Sequence, residues 1–560
     1  MSIWWHNAIV YQIYPRSFKD SNGDGVGDLP GIVSKLDYLA DLGINTIWLC
    51  PVFDSPMVDN GYDVSDYEAI YPAFGTMEDM DRLIAGAGAR GIRILLDLVL
   101  NHTSNRHPWF LSAVSDPASP YRDFYIFREG KNGKPPNNWR SLFGGPVWEP
   151  LPAQDNFFYY HTFAVEQPDL NWENPKMREA LYAMIRRWLD RGVAGFRIDA
   201  IVYIKKNQKF PDAPVNGPDG LGSLDPWSRM YPGIEKFLEE MRDKAFCGQD
   251  VFTVAEAMGI EEHHLESFIG KNGFFSTYFD FTHIELDIEN GAWYVLRDVP
   301  PAKLRDTLYE VQKNISRAGY AAPYFENHDQ NRSPDKFLEP HTRTREGKTL
   351  LGTLFFFLRG IPFVYQGQEL GMTNYPWKSM DEFNDVSTID QYKRCLARGF
   401  SEEKAFAIVA RRSRDNARTP MLWDASPEAG FTCGKPWLPV HPDYRELNAE
   451  TQEWDNGSVL AFYKKMIRLR KDHAALFFEG EINPLPAGDD LLFVYERKYG
   501  RERALVLGNF ADVPKTVDFQ AVGAGSSGIV WLGNLMPPGT AVNGKLTLEP
   551  REALLIGMNG

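Results

Sequence analysis

Short apolar runs, many of them rich in β-branched residues, punctuate the first two thirds of the chain, at residues 8–14, 46–52, 93–100, 193–199, 251–257, 275–281, 322–327 and 362–366. Stretches of helical character separate them, clearest at 28–42, 77–90, 174–191, 233–244 and 301–317. An apolar run without polar alternation marks a parallel strand buried on both faces. Asp28, just before Leu29-Pro30, stands where a helix N-terminus is expected. Eight strands alternating with helices predict an α/β fold of the (β/α)8 TIM-barrel type, with its chemistry at the strand C-terminal ends.

Two regions break this rhythm. Residues 103–173 are rich in Pro, Gly, Asn and aromatics without a sustained helical period, and a structureless loop of that length is improbable. They are expected to form a small inserted domain after the third strand, at the catalytic face. Near the end, short runs at 490–496, 503–509, 515–519, 545–548 and 553–556, separated by turn residues, predict an antiparallel β-sandwich over 481–560. The barrel would then comprise 1–102 and 174–480.

Composition narrows the class of partner. The 560 residues carry a formal charge of −15, with 43% hydrophobic and 24% charged residues, the balance of a globular protein. That charge repels nucleic acid and anionic membranes, so a neutral small molecule is the expected partner. Aromatic residues make up 14%, and flat rings suit the apolar faces of sugars. The N-terminus lacks the pattern of a secretion signal, and no apolar stretch of about 18 residues occurs. This points to a cytoplasmic protein. Cys50, Cys247, Cys395 and Cys433 lie too far apart for a zinc motif or a disulfide framework and are read as free thiols. The sequence carries no signal for an oligomeric state.

The chemistry lies in how the strands end. The third run closes on Asp97-Leu98-Val99-Leu100-Asn101-His102, the fourth on Gly195-Phe196-Arg197-Ile198-Asp199, the fifth on Thr253-Val254-Ala255-Glu256 and the seventh on Glu326-Asn327-His328-Asp329. A barrel converges these ends on one place, which then holds Asp199, Glu256, Asp329, His102, His328 and Arg197. Each alone could be a cap or an ion-pair member. Together at a buried site such carboxylates repel and need a compensating reason. Glycoside hydrolysis supplies one, because one carboxylate must attack the anomeric carbon while another protonates the leaving oxygen. Arg197 lies on the same strand face as Asp199 and would keep it ionised. Glu256, after an apolar strand, suits a proton donor.

These four strand ends resemble, in order and context, the signature regions of the α-amylase family of glycoside hydrolases. The resemblance extends to Val10-Tyr11-Gln12-Ile13-Tyr14-Pro15-Arg16-Ser17-Phe18, to Gln167-Pro168-Asp169-Leu170-Asn171 and to Arg414-Asp415-Asn416-Ala417-Arg418-Thr419-Pro420-Met421, and so covers nearly the whole chain. It is strongest with the oligo-1,6-glucosidase and α-glucosidase branch. The resemblance implies a retaining enzyme that releases glucose from the non-reducing end of short malto- or isomalto-oligosaccharides, with Asp199 as nucleophile, Glu256 as general acid/base and Asp329 as third carboxylate. It also implies that Asp59 pairs with Arg414 to close the pocket and that Tyr62 stacks beneath the sugar. Phe143, Phe163 and Gln167 are expected to line the pocket from the inserted domain, and His102, Arg197 and His328 to serve substrate binding.

Asp20-Ser21-Asn22-Gly23-Asp24-Gly25-Val26-Gly27-Asp28 places oxygen ligands at alternate positions around a glycine, like the first half of a calcium loop. The plainer reading is a solvated turn and helix cap. The resemblance favours a structural Ca2+ held by Asp20, Asn22, Asp24, Asp28 and the Val26 carbonyl, away from the chemistry. Linkage cues divide: Ala200 after the nucleophile leans towards α-1,4 enzymes of the branch, whereas Ala257-Met258-Gly259 matches neither linkage type. A sucrose isomerase or transglucosylase on the same fold is the nearest alternative, although Arg332-Ser333-Pro334-Asp335-Lys336-Phe337 lacks the charged stretch usual in isomerases. A phosphorylated disaccharide finds no obvious basic cluster. A non-catalytic carbohydrate-binding protein is the alternative from another class, and a pure binder has no need of a proton donor.

Overall fold

The computed structural model describes residues 3–151, 154–289 and 291–558. Seven parallel strands form its central sheet: β1 Val10–Ile13, β2 Thr46–Leu49, β3 Arg93–Val99, β4 Gly195–Asp199, β5 Phe252–Glu256, β6 Thr277–Phe279 and β7 Phe363–Tyr365. Their order, β6-β5-β4-β3-β2-β1-β7, follows the chain around a curled sheet. These strands are almost wholly buried because one face meets the surrounding helices and the other the barrel interior. Trp48, Phe279 and Phe363 fill that interior, with ring centroids 4.8–6.2 Å apart. Gly195 has a steric reason, since a Cβ there would lie 1.9 Å from the Phe252 carbonyl oxygen of the neighbouring strand.

The strand expected over 322–327 is corrected. Among the described residues that segment makes no continuous ladder: Ala321 forms an isolated parallel bridge with Gly360, and the Pro323 carbonyl accepts from the Phe363 amide at 3.0 Å. Pro323 has no N–H to return, so regular pairing stops. The segment nevertheless runs beside β7 and carries Glu326 to Asp329 to the same end of the barrel. The helix expected over 28–42 is likewise two helices, Leu29–Ser34 and Leu36–Leu42. The Ser34 hydroxyl bonds the Gly31 carbonyl at 2.6 Å within the first of them, and Lys35 leaves helical geometry between the two.

After β3 the chain builds a three-stranded antiparallel sheet from Phe127–Glu129, Trp148–Pro150 and Phe157–Tyr160, the last in the middle. It also contains a helix the sequence pattern did not reveal, Pro108–Ser115, started by Pro108 and by the His107 side chain accepting from the Trp109 amide. The chain then returns to the barrel through a bridge between His102 and Asp169. Residues 481–558 fold into a six-stranded antiparallel sheet and a two-stranded one around an apolar core that includes Val494, Leu505 and Ile556. Strands Glu481–Pro484, Ser527–Gly533 and Ala541–Asn543 add to the five expected there. Among the described residues no helix is long and apolar enough to cross a membrane.

Arg497 ties this β unit to the barrel. It is fully buried, and its guanidinium donates to the carbonyls of Phe357, Leu476, Phe477, Gly480 and Glu481 at 2.6–3.2 Å. Truncation would strand several buried acceptors at once. Arg497→Ala is therefore expected to lower unfolding stability by about 3 kcal/mol or more in a denaturant melt. A loss below about 1 kcal/mol would refute this role.

Candidate active site

Strand register assembles the acidic cluster. Arg197 pairs across the ladders with Asp97 on β3 and with Val254 on β5, so the next inward-facing pair along is Asp199 and Glu256. The Arg197 guanidinium, 2% exposed, reaches all three carboxylates: Nη1 lies 2.8 Å from Asp97 Oδ1 and 2.6 Å from Asp199 Oδ1, and Nη2 lies 2.9 Å from Glu256 Oε1. The second oxygen of Glu256 accepts from the Ala200 amide at 2.9 Å. That amide points there because Ala200 adopts φ 42°, a left-handed conformation costly for a residue with a Cβ. Burial raises the Asp199 carboxyl well above the ordinary range; Arg197 opposes this, and Glu256 and Asp97 reinforce it. Asp97 is pushed up to about 6 by burial against the same guanidinium.

A second layer orients Asp329. Its Oδ1 lies 2.7 Å from Arg418 Nη2 and 3.3 Å from Arg414 Nη1, and its Oδ2 lies 3.3 Å from His328 Nε2. Burial would raise this carboxyl, but the His328 ring at its edge and the Arg414 and Arg418 charges outweigh burial and hold it well below the ordinary range. His328 itself is wholly buried, between Gln12 Nε2 at Nδ1 (2.7 Å) and the Tyr62 hydroxyl at Nε2 (2.5 Å), and burial keeps it neutral with a pKa of about 3. Tyr62 stacks on the His328 ring at 5.4 Å and donates to Asp97 at 2.8 Å.

A pocket of about 250 Å³ opens over these groups. Asp59, Tyr62, His102, Phe143, Phe163, Asp199, Glu256, Asp329 and Arg414, all expected from the sequence, line it. Arg197, His328 and Gln167 stand behind the wall, Gln167 reaching Asp59 at 3.2 Å and His102 at 3.1 Å. Arg414 lies 3.1 Å from Asp59, as expected, but approaches Asp385 more closely, at 2.6 Å. Sequence reasoning missed Asp385, Arg418 and the lining residues Leu142, Val202, Tyr203, Met258 and Phe281. Asp97 and Arg418 lie within the strand-end and Arg414–Met421 motifs, but nothing local marks either as a partner of the site charges.

The expected calcium loop lies elsewhere. Asp20, Asn22 and Asp24 each accept from the amide two residues on, and Asp28 caps the helix after it by accepting from Gly31 at 2.6 Å. Among the described residues no three His, Cys, Asp or Glu side chains form a metal-binding group.

Asp59 and Asp329 share the pocket yet shift in opposite directions. Burial pushes Asp59 up to about 6 despite Arg414 and Arg418. A carboxyl held above its unfolded value of about 3.9 favours folding while protonated. Its contribution is therefore complete below about pH 4 and lost as pH rises through about 6. Asp59→Asn removes this loss, so the stability of the variant relative to wild type is expected to rise by about 2 kcal/mol from pH 4 to pH 7. Thermal melts giving a pH-independent difference would contradict the shift.

The profile of the alpha-amylase catalytic domain matches residues 12–479. The chain is 42% identical over 554 residues to a probable oligo-1,6-glucosidase 3 of Bacillus subtilis, covering 98% of each protein. Among solved structures it is similar to the isomaltulose synthase of Klebsiella sp. LX3, with a TM-score of 0.93 at 38% identity and 100% of both chains covered. It is also similar to the trehalose-6-phosphate hydrolase of Bacillus licheniformis, with a TM-score of 0.91 at 36% identity and 100% of both chains covered. With that match across its barrel and those relatives along its full length, the chain belongs to the alpha-amylase family of glycoside hydrolases.

Proposed function

We propose that this protein is a retaining exo-α-glucosidase, releasing glucose from the non-reducing end of short oligosaccharides, with isomaltose-type α-1,6 linkages as the favoured substrate. The observation that carries the reading is the pair Asp199 and Glu256, held on the two Nη atoms of one buried arginine where the pocket is deepest in charge. The size of the pocket, about 250 Å³, lies below the usual range for larger ligands and suits a single sugar ring at its base. The α-1,6 preference draws on the oligo-1,6-glucosidase relative and outweighs the Ala200 cue towards α-1,4.

In this mechanism an Asp199 oxygen attacks C1 while Glu256 gives its proton to the glycosidic oxygen, and the leaving sugar departs as an alcohol. Glu256, now a carboxylate, takes a proton from water, whose oxygen displaces Asp199 and restores the α-configuration. Arg197 compensates the negative charge of the cluster throughout. Asp329, kept ionised by Arg418 and Arg414, accepts hydrogen bonds from sugar hydroxyls that strengthen as C1 gains positive charge. Asp59, Arg414, Phe143 and Phe163 bound the end of the pocket and select chain termini.

Asp199→Asn is expected to reduce glucose release from isomaltose by at least about 10³-fold. Glu256→Gln should lose most of its rate on isomaltose and keep more on substrates whose leaving group needs no proton. NMR of the first product should give α-glucose. Asp199→Asn at near-wild-type rate, or β-glucose as first product, would end this reading. Accumulation of isomaltulose from sucrose would select the isomerase alternative, which the structural likeness to isomaltulose synthase brings into view.

A structural Ca2+ at Asp20, Asn22, Asp24, Asp28 and the Val26 carbonyl is part of the proposal. Its support is the run of side-chain turns at alternate residues and the left-handed Gly23 and Gly25, which fold the loop tightly. A chelator should then lower the melting temperature, and Ca2+ but not Mg2+ should restore it; indifference to both would remove the ion. Four free thiols fit a reducing, cytoplasmic setting.

A further inference from the structure

Arg414 presents its guanidinium to Asp59 and Asp329 at the pocket wall, and something must hold it there. The residue behind it is Asp385, with no exposed surface. Asp385 Oδ1 accepts from Arg414 Nε at 3.0 Å and Nη2 at 2.6 Å, closer than the 3.1 Å and 3.3 Å contacts that Arg414 makes with Asp59 and Asp329. Among the described contacts Asp385 is therefore the strongest partner of this arginine.

The same carboxylate has a second task. Asp385 is the N-cap of the helix Val386–Ala397, its oxygens accepting from the Ser387 amide at 3.1 Å, the Thr388 amide at 3.2 Å and the Thr388 hydroxyl at 2.6 Å. Asp415, next to Arg414, completes a reciprocal clasp by accepting from the Asn384 and Asp385 amides at 2.8 and 2.9 Å. One side chain of the pair 414–415 grips the side chain of residue 385 and the other grips its backbone. The helix end, fixed in this way, fixes the arginine.

We propose that Asp385 is a positioning residue for substrate recognition: it anchors Arg414 from outside the pocket so that the arginine can meet the hydroxyls of the terminal sugar. This rests on the exo-glucosidase reading. Its effect falls on binding more than on chemistry, because Arg418 holds Asp329 independently at 2.7 Å and Arg197 holds Asp199 and Glu256. An arginine released from its anchor loses an interaction made equally in ground and transition states, which raises KM and leaves kcat.

Charge and cap can be separated by substitution. Asn caps a helix about as well as Asp, so Asp385→Asn keeps the helix start while removing the carboxylate. The expected result with isomaltose is a rise in KM of about tenfold, the worth of one charge-assisted hydrogen bond, with kcat within about twofold and a melting temperature close to wild type. Asp385→Ala should show the same KM and also melt earlier. If the Asn variant does not fold, Asp385→Ser, also a good cap, takes its place. An unchanged KM in a folded, uncharged variant overturns the proposal, as does a kcat that falls in step with kcat/KM. An inactive wild type, or an active Asp199→Asn, would instead overturn the glucosidase reading and leave the anchor to be judged by weaker binding of isomaltose in calorimetry.

Discussion

One buried guanidinium organises the centre of this barrel. Arg197 makes contacts of 2.6–2.9 Å with three carboxylates from three adjacent strands, and is itself raised well above its ordinary pKa by them against the opposing effect of burial. Taking a cation and three acids out of water costs several kcal/mol per ion, and mutual attraction offsets this only where geometry is tight. The parallel register of β3, β4 and β5 provides that geometry. A slip of one residue in β4 would turn Arg197 and Asp199 away together and bring Phe196 and Ile198 inward. Barrel register and the geometry of the acidic cluster are thus the same constraint.

With one positive charge among three acids, burial leaves Asp97 and Asp199 holding protons more tightly than isolated carboxyls do. This suits the proposed mechanism, in which the site must keep one proton to give away and one carboxylate free to attack. Asp329 stands outside the shared cation. His328, Arg414 and Arg418 at its edges hold its pKa well below the ordinary range, so it stays ionised whatever the proton inventory of the trio. The two sets of charges meet through Tyr62, whose hydroxyl touches Asp97 on one side and His328 on the other.

What was legible in the sequence follows from this. The strands could be read because burial on both faces leaves a near-continuous apolar run, as in Arg93–Val99, where Asp97 alone interrupts the apolar residues after Arg93. The segment at 322–327 is read as a strand from its apolar start and acidic end but contains Pro323, so it takes the place of a strand without the ladder. Ser527–Gly533 escaped because Gly528 and Gly533 interrupt its pattern. At the site, residues at strand ends were readable through the barrel rule, and Asp59 and Arg414 through the family resemblance. Arg418 and Asp385 were not, because their partners lie 89 and 29 positions away and nothing local marks a buried ion pair. Nor could sequence rank the partners of Arg414: the expected one, Asp59, is further away than Asp385.

The inserted segment does more than wall the pocket. Lys206, 1% exposed, lies 2.5 Å from Asp169 and donates to Asn101 Oδ1 at 2.8 Å. That fixes the amide of Asn101, whose Nδ2 then faces Asp169 at 3.2 Å and His102 Nδ1 at 3.1 Å. A donor at Nδ1 assigns the His102 proton to Nε2, where the Tyr62 carbonyl accepts it at 3.0 Å, so the Gln167 amide 3.1 Å from that nitrogen is a close contact and not a hydrogen bond. Burial keeps the ring neutral, with a pKa near 4, so this tautomer persists through the physiological range. A lysine from beyond β4 and an aspartate from the insert together determine which edge of His102 carries a proton at the pocket. The insert is in this way part of the polar machinery of the barrel, coupled to Asp59 through Gln167 and to the Arg197 cluster through Tyr62.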